Sequence, residues 1–154
     1  MKSVVQRVSR ASVHVENEVV ASIGPGMLVL LGVMRGDGDG AARRLAERIA
    51  RFRIFPDESD RMNRSAIDCG HEALVVSQFT LAADGRAGRR PSFDAAAPAA
   101  VAEPLYERFV ESLRETGLAV RTGRFGAKMR IELVNDGPVT FCLEEGEGPP
   151  QVLA

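Results

Sequence analysis

Met27-Leu28-Val29-Leu30-Leu31-Gly32-Val33 is an unbroken apolar run of strand length. It lacks the polar alternation of a half-exposed strand, so it reads as a strand buried on both faces. The next residues supply a cover for one of those faces. Gly36-Asp37-Gly38-Asp39-Gly40 is a loop, and Asp39 stands where a helix N-cap belongs. Leu45, Ile49 and Phe52 then recur at spacings of four and three, with Arg43, Arg44, Glu47, Arg48 and Arg51 between them. That period puts the apolar groups on one helical face. A buried strand feeding an amphipathic helix is the unit of an α/β fold.

Upstream, Val4, Val5, Val8, Val13 and Val15 are β-branched residues among polar ones, and a second short run, 19–23, ends at Gly24-Pro25-Gly26. Downstream, 57–63 is polar and turn-rich, and 73–77 is another short buried strand. The segment 82–98 is a long loop with Gly85, Gly88, Pro91 and Pro98. A loop of that length inside a domain is usually functional or disordered. Val101, Leu105, Phe109 and Leu113 mark a second helix over 99–115, with Gly117 just past its end. Met129, Ile131 and Leu133, then Val139, Phe141 and Leu143, alternate with polar residues as half-buried strands do. The expected order is β-β-β-α-β-α-β-β-β. The β-α pattern occurs twice, which predicts mixed β-sheets with two helices packed on one face, a three-layer α/β/β arrangement. One domain over 1–145 fits a chain of 154 residues. The stretch 146–154, with Pro149 and Pro150, reads as a flexible tail.

Composition is that of a globular protein, 45% hydrophobic and 27% charged. No apolar run approaches the roughly 20 residues of a membrane helix. The first ten residues carry no apolar signal core, so a cytoplasmic location with Cys69 and Cys142 reduced is expected. Net charge is −1, yet the cations cluster. Arg86, Arg89 and Arg90 crowd one stretch of the long loop, with Asp84 the acid beside them. Arg121, Arg124, Lys128 and Arg130 lie in a stretch free of acids between Glu115 and Glu132. Such clusters suit a local phosphate contact, or they are two solvated faces.

Ordinary catalytic machinery is missing. His14 and His71 belong to no metal-binding pattern, and Ser77 is not in a GxSxG elbow. No metal or cofactor is expected. Ser77-Gln78-Phe79-Thr80-Leu81 ends a buried strand and enters the long loop. It offers three polar side chains and backbone amides that could hold an oxyanion, or it is a strand end capped by its own hydroxyls. Asn135-Asp136-Gly137-Pro138 lies between two alternating runs. Asp-Gly there signals a hairpin. Pro138 permits a cis peptide at a cost of only about 0.5–1 kcal/mol.

SQFTL at 77–81 and NDGPVT at 135–140 together resemble the two signature motifs of D-aminoacyl-tRNA deacylases. VQRVSRASV at 5–13, LVLLGV at 28–33, RPSF at 90–93 and TGRFGAKM at 122–129 are also similar to that family, so the likeness spans nearly the whole chain. The resemblance implies a homodimeric hydrolase that cleaves the ester between a D-amino acid, or misplaced glycine, and the terminal adenosine of tRNA. It implies that Ser77, Gln78, Phe79 and Thr80 form the catalytic segment, with the ribose 2′-hydroxyl helping to activate water. It implies that Phe125 and Met129, with Leu81 and Asn135, bind adenosine or substrate. A cis Gly137-Pro138 peptide, offered to the partner's site, would reject L-amino acids. Arg86, Arg89, Arg90, Arg124 and Lys128 are the expected tRNA contacts. Two other readings stand beside this one. A related deacylase class that removes L-alanine departs from SQFTL. A non-enzymatic RNA-binding module of the same fold would need only the basic clusters.

Overall fold

β1 (Lys2–Val15) is the hub of the fold, and both its edges are occupied. Its first half pairs antiparallel with β3 (Gly26–Gly32), from Lys2↔Gly32 to Val8↔Gly26, and its second half with β2 (Glu18–Ile23). The other edge pairs from end to end with the last strand, β8 (Met129–Glu144). β6 (Glu72–Ser77) lies parallel to β3, and β7 (Ala119–Thr122) lies parallel to β6. This mixed six-stranded sheet is joined by helices α1 (Asp39–Ala50), α2 (Ala66–Cys69) and α3 (Ala99–Glu115), and by a small hairpin, β4 (Phe55–Pro56) with β5 (Met62–Arg64). The computed structural model describes residues 1–86 and 88–146. The tail expected over 146–154 lies, beyond Gly146, outside the described residues.

The apolar runs behave as their pattern requires. Along β3, Met27, Val29 and Leu31 enter the core under the helices, while Leu28 enters a second core on the opposite face. β6 divides likewise, with Ala73 and Val75 on one side and Leu74 and Val76 on the other. The first core is closed by Leu45 and Ile49 of α1 and by Phe109 and Leu113 of α3, which pack on each other. The second is closed by Val8, Val13 and Ile23, with Met129 and Ile131 against it. Two cores flanking one sheet make the α/β/β layering. Each fully buried Leu or Ile contributes about 1.5–3 kcal/mol.

Several expectations are corrected. Gly38, not Asp39, occupies the N-cap of α1 and gives no side-chain hydrogen bond. Asp39 sits in the first turn, where its charge complements the helix dipole. Phe52 lies past the helix, edge-on to Phe141 at 4.9 Å. Val101, in the first turn of α3, is 49% exposed rather than part of the buried stripe. The polar stretch 57–63 lies in the β4–β5 hairpin, and Ser65 and Asp68 form a capping box on α2. The two alternating runs near the C-terminus are one strand. Both pair with β1, so the chain never reverses at Asn135-Asp136-Gly137-Pro138.

Candidate functional site

β6 delivers Ser77 to the sheet's edge, and the chain then tightens into a 3-10 turn, Phe79–Ala82. The Gln78 N–H donates to Leu31 O at 2.7 Å, extending the ladder by one bond. The turn's own bonds begin with Leu81 N–H to Gln78 O at 3.2 Å. Among the described residues, the N–H groups of Phe79 and Thr80 have no acceptor, as the first donors of a helical turn do not. Gly32 allows the turn to sit this close to β3. A Cβ there would stand 3.0 Å from both Gln78 O and Leu81 Cβ. The Gln78 side-chain amide donates to the Thr80 hydroxyl.

Beside this turn is a cavity of about 440 Å³. Ser77, Gln78 and Phe79 form one wall, Ala97 just before α3 and Ala102 in its first turn another, and Phe125, Gly126 and Met129 a third. The walls are tied together. The buried Tyr106 hydroxyl donates to Val75 O at 2.9 Å, the same carbonyl that accepts Gly123 N–H at 3.0 Å, and its ring packs 5.6 Å from Phe125. Desolvation raises the Tyr106 pKa well above the usual phenol value, so it stays a donor. The exposed Phe79 ring also meets Phe93 edge-on at 5.1 Å. The lining contains no His, Cys, Asp or Glu.

A sequence profile of the D-Tyr-tRNA(Tyr) deacylase family matches residues 4–144. The chain belongs to that family. A D-aminoacyl-tRNA deacylase of Roseiflexus sp. (strain RS-1) is 61% identical over 144 residues, covering 94% of this chain and 93% of the relative. A solved c-Myc DNA Unwinding Element Binding Protein superposes with a TM-score of 0.89 at 43% identity, covering 94% of this chain and 99% of that one. A probable eukaryotic D-amino acid tRNA deacylase superposes with a TM-score of 0.80, and at 20% identity that likeness speaks to the fold alone.

Within this deacylase-family chain, the cavity unites Ser77, Gln78 and Phe79 with Phe125 and Met129, two motifs far apart in sequence. Thr80 and Leu81 are not among the residues that line it. Asn135, Gly137 and Pro138 do not line the cavity of their own chain. They form a bulge on β8, where the stretch from Asn135 to Thr140 sits opposite only Gln6 to Val8. Asn135 organises it, accepting from Val139 N–H and donating to Thr140 Oγ1, each at 3.0 Å. Arg7 Nε donates to Asp136 O at 3.1 Å. The Gly137-Pro138 peptide is cis, and Gly137 has φ +136° with no room for a Cβ beside Val139.

The expected cations divide. Arg86 is held by Asp84 at 2.7 Å, and these hydrogen bonds lower the Asp84 pKa. Arg124 reaches Glu18 at 3.9 Å. Arg89, Arg90 and Lys128 make no ion pair among the described residues. A larger groove of about 840 Å³ adjoins Phe125, with the acids Asp39, Glu103, Glu107 and Glu111 and the cations Arg108, Arg114 and Arg124 in its lining, a surface of mixed charge. His14 contacts Ser12 and Glu132, and His71 packs edge-on to Phe55, so neither serves the cavity. Arg35, which no sequence pattern marks, stands beside the long loop.

Proposed function

We propose that the cavity binds the 3′-terminal adenosine of tRNA and that the chain hydrolyses the ester joining it to a D-amino acid. The observation that carries this reading is the free N–H of Phe79, a lining residue of a cavity walled by Phe125 and Met129, with the free N–H of Thr80 next in the chain. Phe125 and Met129 suit the flat, weakly polar face of a base. The two amides suit a carbonyl oxygen that becomes an oxyanion when water attacks. The lining has no base to activate Thr80, so its hydroxyl is a poor nucleophile. The ester is already reactive, and the neighbouring ribose 2′-hydroxyl would help to orient and deprotonate the water. The protein's part is then placement and charge stabilisation. The product is a free D-amino acid and an uncharged tRNA.

Hand selection is assigned to the Gly137-Pro138 bulge of a second copy. The bulge is exposed and off its own cavity, and its backbone is held by the Asn135 and Arg7 bonds. In an isologous dimer each bulge would enter the other subunit's cavity and collide with an L side chain. Glycine, lacking a side chain, would pass and be hydrolysed too. Arg89, Arg90, Arg124 and Lys128 would contact phosphates, with Arg86 contributing less because Asp84 already holds it. A cytoplasmic setting follows from the substrate. No described helix is long and apolar enough to cross a membrane.

The test is hydrolysis of D-tyrosyl-tRNA, L-tyrosyl-tRNA and glycyl-tRNA, with and without EDTA. Cleavage of the D and glycyl esters alone, unchanged by EDTA, is expected. Binding of tRNA with no cleavage of any ester would instead support a non-enzymatic module. Activity restored only by added zinc would overturn the metal-free scheme.

A further inference from the structure

We propose that Arg35 and Arg90 form a phosphate subsite for the RNA backbone immediately upstream of the terminal adenosine; this rests on the deacylase reading of the cavity. The exit of β3 runs beside the end of the long loop. Ala97 N–H donates to Val33 O at 3.0 Å, Met34 bridges Ala96, and Arg35 N–H donates to Ala95 O at 2.9 Å. Arg35 Nε then donates to Asp94 O at 2.6 Å. That bond fixes the guanidinium while leaving both terminal nitrogens free to donate. Across the loop, Asp84 and Ser92 exchange N–H···O bonds of 2.8 Å each, which close the turn that carries Arg90. Arg35 and Arg90 line one concavity of about 510 Å³ together with Ser92, Phe93 and Asp94.

Position decides what this concavity fits. Phe93 is part of its wall and also meets Phe79, a wall of the catalytic cavity, so the subsite lies one aromatic pair away from the reacting ester. A phosphodiester directly precedes the terminal adenosine of any tRNA. Guanidinium forks match phosphate oxygens in both charge and shape. Arg35 and Arg90 have no acidic side chain as partner among the described residues, unlike Arg86, Arg121, Arg124 and Arg130. Asp94 is the one acid in the lining, and it holds Arg35 through its backbone carbonyl. Two guanidinium groups against one carboxylate leave the concavity positive.

The experiment compares wild type with Arg35→Gln, Arg90→Gln and the double variant on two substrates. One is D-tyrosyl-tRNA, and the other is 3′-O-D-tyrosyl-adenosine, which has no phosphate. On the tRNA each single variant is expected to raise KM roughly tenfold with kcat retained. The slope of log affinity against log salt should fall by about 0.7 for each arginine removed from a single-stranded contact. On the nucleoside ester all variants are expected to match wild type. An unchanged KM and salt slope on tRNA, or an equal loss on both substrates, would overturn the subsite. A wild type inactive on both esters would sink the deacylase reading itself, and the subsite with it.

Discussion

At the scale of single residues, the proposed catalysis rests on groups that mutation of side chains does not remove. The Phe79 and Thr80 amides belong to the backbone, so Thr80→Ala keeps both donors while deleting the hydroxyl that accepts from Gln78. Losing one oxyanion donor costs about 10²–10³ in kcat. Thr80→Ala is therefore expected to lower kcat at saturation by less than about tenfold. A fall to background, or an ester trapped on Thr80, would show covalent catalysis. His71 offers a test of the fold rather than the site. Burial against Phe55, with the nearby Arg64 charge, depresses its pKa below 6.5. The folded state thus favours neutral imidazole, and the unfolded chain binds the proton more readily. This contribution is present above pH 6.5 and is lost as pH falls through the depressed value. Chemical denaturation at a series of pH values should show that decline, and His71→Phe should remove its share. An identical pH profile in both proteins would refute the assignment.

At the scale of elements, the site depends on how closely the 3-10 turn lies against β3. Gly32→Ala would place a methyl 3.0 Å from Gln78 O and Leu81 Cβ, and the turn must retreat by a few tenths of an ångström. Misplacement by about 1 Å can cost 10²-fold, so a loss of roughly tenfold in kcat/KM is expected, with Tm little changed. Kinetics equal to wild type would show that the turn tolerates the displacement. The elements differ in how plainly the sequence announces them. The helix over 99–115 is legible to the residue, because its apolar spacing persists for several turns. The buried strands are legible because both faces of β3 and β6 meet apolar cores. The β4–β5 hairpin is too short for any period to emerge. The β8 bulge resembles a turn locally, and only its pairing to the distant β1 shows that the strand continues. Physical reading alone leaves SQFTL balanced between a capped strand end and an oxyanion site. The fact on which the oxyanion proposal leans, that Gln78 N–H bonds to Leu31 O while its two successors have no acceptor among the described residues, is a matter of tertiary contact. The engagement of Arg86 is hidden in the same way, since its partner Asp84 is near in sequence but the bidentate geometry is not written there. Arg35 carries no signal at all.

At the scale of the whole molecule, the proposed gate makes selectivity a property of the dimer. Each cavity lacks Gly137 and Pro138 of its own chain, so dilution below the dimer dissociation constant should narrow the ratio of D- to L-tyrosyl-tRNA cleavage. Sedimentation and kinetics measured over one concentration series check this. A ratio that stays constant while the protein becomes monomeric would remove the cross-subunit gate. A different consequence arises from β1, whose whole length pairs with β8. These are the first and last strands described, so the ribosome makes Lys2 long before it makes Met129. At about 5–20 residues per second, that interval is roughly 6–25 s. Throughout it, Val5, Val8 and Val13 belong to a strand with one edge unclaimed. The nascent chain therefore carries an open template for strand addition until Met129–Glu144 emerges to close it.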